Sequence, residues 1–294
     1  MSELSATELL TRYAKGERNF QLADLSGLNL SRAHLTGSDF TGVDLTSANF
    51  HQADIRETLL NTATLAHADL RQADLQRASL TAADLSNANL SEADLCEAIL
   101  IIADLIAVNF AYAHLPLADL SGANLTKASL RQASLFRATL TEAILIEADL
   151  SQANLSQANL FHANLNMARL PECDLRDTNL SQSDMMMADF TRARLARATL
   201  AEANIRFANL TSADLRGADL SGTNLTGANL TGADFSGANL EAANLTRATV
   251  AGADFSGAKL AGARMAQVQL AGMLNARLDG AIAEAAKVET SISL

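Results

Sequence analysis

The sequence predicts an all-β solenoid, and three observations support this fold class. Every fifth residue from Phe20 to Leu270 is large and apolar, at 51 positions, of which 39 are Leu. The residue two positions before each of them is usually small, Ala in 40 of the 51 cases, and no insertion or deletion breaks the period. A period of five fits neither the 3.6-residue spacing of a helix nor the two-residue alternation of a simple strand. Repetition of this kind indicates an architecture that grows by adding units.

Each unit consists of a small residue, a polar residue that is usually Asp or Asn, a large apolar residue and two variable residues. We call the large apolar residue the central residue and the two variable residues the corner. The small and central residues are two apart, so both point inward from one short extended segment. Pro116 and Pro171 directly follow a central residue, and all 12 glycines from Gly27 to Gly262 lie two residues after one, as expected for a turn.

The segments 218–222 (ADLSG) and 228–232 (ANLTG) closely match the motif of the pentapeptide-repeat proteins, and the chain resembles this family over about 250 residues. The resemblance implies a right-handed quadrilateral β-helix, with four units per coil and about 13 coils for the 51 units. The opening stretch from Glu8 to Phe20 also resembles the lead-in of cyanobacterial members of the family.

We predict three segments: 1–17 as an N-terminal capping helix, 18–272 as the pentapeptide-repeat β-helix, and 273–294 as a C-terminal helix and tail. Leu9 and Tyr13 have helical spacing in the first segment. A solenoid end exposes an apolar cross-section and unpaired strand edges, which a cap covers. The C-terminal segment is expected to be a second cap or, alternatively, a homodimerisation element.

Composition argues against several classes of function. A net charge of −11 disfavours non-specific nucleic-acid binding and attachment to an anionic membrane surface. We recognise no secretory signal and no membrane-spanning stretch, so we expect a cytoplasmic protein. Cys96 and Cys173 are predicted to lie about four coils apart, too far for a disulfide. The five histidines are scattered over several faces, and we expect no metal site, no cofactor and no enzyme activity.

The remaining signal is in the residues that point outward. One side carries apolar residues at positions that are polar elsewhere, and we call this set the apolar stripe: Ile106, Ile144, Ile146, Met167, Met186, Met187 and Phe207. The opposite side carries a set that we call the arginine column: Arg56, Arg77, Arg137, Arg176, Arg197 and Arg216. Contiguous exposed apolar patches tend to mark binding sites. The arginines either pair with neighbouring Asp residues or bind an acidic partner.

The leading functional hypothesis is a non-catalytic interaction or regulatory protein that binds an unidentified partner protein on flat solenoid faces. An alternative follows from the family resemblance, because some members mimic duplex DNA and modulate type II topoisomerases. At strand spacing, 13 coils make a rod roughly 60 Å long. A DNA mimic of that length needs about 35 charges, since DNA carries one per about 1.7 Å of its axis. This chain has a net charge of −11. A structural rod or spacer is the third hypothesis.

Overall fold

A computed structural model describes residues 4–21 and 23–268, so the segment 273–294, predicted as a C-terminal helix and tail, lies outside the described residues. Helix α1 spans Ala6–Ala14. After α1 the chain winds into a solenoid in which each side contributes one bridging residue to a parallel ladder. In residues 4–21 and 23–268 no side is long enough to form a more extended strand.

The ladder defines the size of one coil. Every bridge joins residue n to residue n + 20, from Asn19 with Asp39 to Asn244 with Arg264. One coil therefore contains twenty residues, or four of the five-residue units, which makes it four-sided. About twelve coils separate Asn19 from Arg264, so the rod is about 58 Å long at a strand spacing of about 4.8 Å.

The small and central residues fill the interior of the rod. Apart from Met265, the described central residues are buried, and the rings of Phe235 and Phe255 stack with centroids 4.8 Å apart. Burial of one Leu side chain contributes about 1.5–3 kcal/mol, so the central residues supply most of the favourable free energy. Thr178 replaces the small Ala in one unit, and its hydroxyl donates to the Leu155 carbonyl at 2.9 Å. That hydrogen bond offsets the cost of burying a polar group.

The second residue of each corner has a left-handed backbone. All such residues from Gly27 to Gln267 have a φ between 50° and 72°, and 37 of them are not glycine. The next amide donates back to the central carbonyl, as from Ala228 to Leu225 at 3.0 Å. A bond of this kind closes a type II turn, which requires a positive φ at its third residue.

The outward Asp or Asn of each unit completes the hydrogen bonding of the backbone. In the unit 228–232, three amides donate to neighbouring coils at 2.7–2.9 Å, and Ala228 donates across the corner. The remaining amide, that of Thr231, donates to Asn229 Oδ1 at 3.2 Å. This Asx turn recurs along the rod, and it explains why the outward position is usually Asp or Asn.

The two prolines lie where this acceptor is missing. His114 and Arg169 occupy outward positions that usually carry Asp or Asn, and Pro116 and Pro171 follow two residues later. Proline has no amide hydrogen, so these corners leave no donor without a partner.

Helix α1 packs against the first coils. The Ser5 hydroxyl accepts the amide of Glu8 at 3.3 Å, which fixes the start of the helix. Leu9 is fully buried, and the Tyr13 hydroxyl donates to the Thr36 carbonyl at 3.1 Å. The helix thus lies within the predicted segment 1–17 and shares the apolar core of the solenoid.

We expect Asp104→Ala to destabilise the rod by about 1 kcal/mol, since the Ile106 amide loses its acceptor, Asp104 Oδ1, at 3.1 Å. Asp104→Asn is the matched control because it keeps the acceptor oxygen and removes only the charge. Urea unfolding followed by circular dichroism measures both variants. Equal destabilisation by the two substitutions would contradict the role assigned to the Asx turn.

Candidate functional site

The exposed part of the apolar stripe is a column on one corner of the rod. Met167, Met187 and Phe207 occupy the left-handed corner position on three successive coils, with exposed fractions of 48%, 46% and 52%. A left-handed backbone costs a residue with a Cβ roughly 1–2 kcal/mol. Bulky apolar side chains at these positions therefore do not serve the local turn.

The other stripe residues flank this column. The neighbouring corner position holds three half-buried residues on alternate coils: Ile106, Ile146 and Met186. Ile144 lies on the adjacent flat side and is 37% exposed. Lys127 lies in the exposed column and its Nζ is 3.8 Å from Glu147 Oε2. The stripe is thus continuous from Ile144 to Phe207, whereas a coil carrying Lys127 separates Ile106 from it.

The ring of Phe207 leans over the next coil. A Cβ placed on Gly227 would lie 2.6 Å from two carbons of this ring, so the ring covers the glycine backbone. The guanidinium carbon of Arg206 is 5.3 Å from the ring centroid, which is within range of a cation–π interaction. Phe207 and Gly227 together form the C-terminal end of the stripe, and sequence reasoning did not single out this glycine.

The arginine column on the opposite side is mostly paired. Five of its six members lie 2.6–3.2 Å from a carboxylate oxygen, in the pairs Arg56–Asp54, Arg77–Glu57, Arg176–Asp174, Arg197–Asp177 and Arg216–Asp214. Within the described part of the chain, Arg137 alone among the six forms no ion pair. Exposed pairs of this kind contribute only about 0–1 kcal/mol each. Most of the column therefore forms internal ladders.

The remaining polar groups form no recognisable catalytic or metal centre. Across residues 4–21 and 23–268, no cluster of three His, Cys, Asp or Glu side chains is arranged to hold a metal ion. Cys173 is buried and its thiol donates to the Ala153 carbonyl at 3.1 Å, and burial raises the pKa of this thiol. The structure also contains no helix, in the part it describes, with the length and apolar character needed to span a membrane.

We expect acid to destabilise the fold below about pH 4. Hydrogen bonds from Arg56 and Arg216 lower the pKa of Asp54 and Asp214 in the folded state. Such carboxylates stabilise the fold above their unfolded pKa of about 3.9, and this contribution is lost as the pH falls through the folded value. Asp214→Asn should reduce the dependence of the melting temperature on pH. The test is a series of thermal melts, and a melting temperature unchanged at pH 3 would contradict it.

Gly227→Ala should destabilise the protein more than Gly237→Ala. Both glycines have a φ near +68°, but a Cβ on Gly237 meets nothing within 4 Å, whereas one on Gly227 meets Phe207. The control substitution therefore reports the backbone cost alone, about 1–2 kcal/mol. In a Phe207→Ala background the two glycine substitutions should become equivalent. A difference that persists in that background would show that the ring does not lie over Gly227.

Comparison with known proteins places the chain in a family. The profile described as pentapeptide repeats (8 copies) matches residues 23–61, 63–100, 103–142, 138–177, 153–192, 173–206, 188–227, 203–241 and 238–272. No match was found among curated protein sequences.

Three solved structures illustrate the similarity. HetL, a pentapeptide repeat protein involved in heterocyst differentiation regulation from the cyanobacterium Nostoc sp. strain PCC 7120, is 33% identical. That match covers 90% of this chain and 98% of HetL, with a TM-score of 0.23. A pentapeptide repeat protein from the Arabidopsis thaliana thylakoid lumen is 34% identical over 31% of this chain and 64% of its own, with a TM-score of 0.31. QnrB1, a plasmid-mediated fluoroquinolone resistance protein, is 18% identical over 82% and 91%, with a TM-score of 0.32.

The profile matches cover most of the chain and agree with the repeat motif of its sequence. The chain belongs to the pentapeptide-repeat family, whose members form right-handed β-helices.

Proposed function

We propose that this protein is a non-catalytic interaction or regulatory protein that binds a partner protein through the apolar stripe. Pentapeptide-repeat proteins are generally non-catalytic structural or interaction proteins. The observation that carries the proposal is the column of Met167, Met187 and Phe207, which is about half exposed on three successive coils. We further propose a cytoplasmic location, with α1 and the C-terminal segment acting as caps.

The local backbone makes these side chains costly for folding. Each has a φ of 58–59°, where Gly or Asn is tolerated best. Water also disfavours three adjacent apolar side chains, and contiguous patches of this kind tend to mark protein interfaces. A partner that covers the column recovers the cost of exposing these side chains to water, whereas the backbone cost is present with or without a partner.

The chemistry of the stripe indicates what such a partner presents. Methionine side chains are flexible and polarisable, so they adapt to an apolar surface of irregular shape. The continuous part of the stripe, from Ile144 to Phe207, extends over about three coil steps, or about 15 Å at strand spacing. Arg206 at its end adds a positive charge next to the Phe207 ring. The surface therefore suits an apolar ridge with an acidic residue at one end.

The alternative of a DNA mimic is less well supported. A mimic needs a continuous acidic field, whereas arginines alternate with acidic residues along the side that carries Asp54, Asp174 and Asp214. We therefore rank it below a protein partner of different chemistry.

The double variant Met187→Asn and Phe207→Asn tests the proposal. Asn tolerates the left-handed corner, so the melting temperature should be unchanged or higher, while binding to the partner should be lost. Ile102→Asn is the matched control, because Ile102 is an exposed apolar residue at another left-handed corner. Partners are identified by cross-linked pull-down from native cells and then titrated with purified protein. If the double variant and the wild type bound the partner with equal affinity, the proposal would be wrong.

A further inference from the structure

One coil differs from all the others in the character of its corners. In residues 101–120 all eight corner positions are apolar, whereas every other complete coil between residues 41 and 260 carries at least two polar residues there. We call this set the collar: Ile101, Ile102, Ile106, Ala107, Ala111, Tyr112, Pro116 and Leu117. Tyr112 and Leu117 are 59% and 46% exposed at left-handed corners with φ of 62° and 61°.

The collar interrupts ladders of polar side chains that stack from coil to coil. Along the corner of Tyr112, one ladder of hydrogen bonds joins Arg32, Gln52, Gln72 and Glu92, and a second joins Gln132, Gln152 and Glu172. Tyr112 stands between the two. Along the next corner, Leu117 separates the ion-paired group of Glu57, Arg77 and Glu97 from Arg137. The apolar residues thus replace side chains that would otherwise continue a stabilising column.

The charge changes sign across the collar on the side that Tyr112 and Leu117 bound. The coil before it places three acidic residues on this side: Glu92, Asp94 and Glu97. The coil after it carries two basic residues: Arg137 on this side, and Arg131 at its edge, where the guanidinium lies 3.1 Å from Asp149 of the adjoining side. We refer to these as the acidic row and the basic row. Only the collar coil lies between them.

We propose that a second copy of this chain docks on this side in an antiparallel orientation. A two-fold axis across the rod at the collar places the acidic row of each copy against the basic row of the other. The same axis places Tyr112 opposite its own counterpart and Leu117 opposite its own, as an isologous interface requires. A parallel pair would place the acidic rows against each other, which is unfavourable.

The available area agrees with a stable dimer. The chain offers about five coils before Leu117 and about seven after it, so an antiparallel pair overlaps over about ten coils, or about 48 Å at strand spacing. A side of five extended residues is at most about 16 Å wide. The product is at most about 770 Å² per copy, close to the roughly 800 Å² of a standard interface. Tyr112, Leu117 and the exposed Phe136 would lie around the exposed His114 at the centre of the interface, within a charged rim.

This dimer would leave the apolar stripe free. The flat side of Ile144 and the flat side of His114 lie ten residues apart in the twenty-residue coil, and therefore on opposite sides of the rod. The inference goes beyond the proposed function, since each copy would keep its stripe facing outward whether or not the stripe binds a partner.

Sedimentation velocity over a series of protein concentrations, on the full chain and its variants, tests the proposal. Wild-type protein should form dimers, and Glu97→Arg alone or Arg137→Glu alone should weaken dimerisation about tenfold, since each charge pair occurs twice in the dimer. The double variant should restore it, which also shows that the variants fold. Glu147→Arg is the matched control, because Glu147 is at a left-handed corner and pairs with a cation, Lys127, as Glu97 pairs with Arg77.

Leu117→Asn gives an independent readout. Asn tolerates the left-handed backbone at this position better than Leu does, so the melting temperature of the monomer should be unchanged or higher, while the dimer should weaken. A wild-type chain that stays monomeric at hundreds of micromolar would overturn the proposal. A dimer whose affinity is unchanged by either single charge reversal would also overturn it. A double variant that fails to dimerise would exclude the antiparallel orientation.

Discussion

The fold depends on a hydrogen bond that recurs along the rod, from a corner amide to the side chain of the Asp or Asn two residues before it. A chain that turns every five residues brings four of its five amides to backbone carbonyls, and the geometry of the corner leaves the fifth without one. Two corners that lack the usual acceptor are accommodated in other ways. Pro116 removes the donor, and the amide of Thr81, which follows Ser79, donates at 3.1 Å to Asn61, one coil earlier. The repeat motif is thus a solution to the requirement that backbone donors be satisfied.

The period of five was enough to predict a solenoid, because no other regular structure buries every fifth residue. The position of Pro116 was also readable, since it follows an outward His rather than an Asp or Asn. The left-handed backbone at 37 residues other than glycine was not readable. Most of those residues are polar and carry no signature of that conformation, so only the closed turn reveals it.

The candidate surfaces were predictable only in part, because sequence assigns a residue to a side but not to a column. The sequence predicts the stripe as one set, yet the side chains of Met187 and Phe207 are exposed whereas that of Ile146 is partly buried beside them. The orientation of the Phe207 ring over Gly227 depends on side-chain torsions that no periodicity encodes. The collar was visible in the sequence. It emerges when corner residues are read around one coil instead of along one side.

The constant twenty-residue coil has a consequence for how such a protein can change length. Removing or duplicating twenty residues keeps every outward column in line, so an interaction surface is merely shortened or extended. Removing five preserves the core equally well, but it turns everything downstream by a quarter of the circumference. If the five residues lay between Met167 and Met187, Met187 would no longer stand above Met167, although the buried column would be intact. A change in length that keeps the surface columns in line therefore needs four units at a time. A change that keeps only the buried column in line needs a single unit.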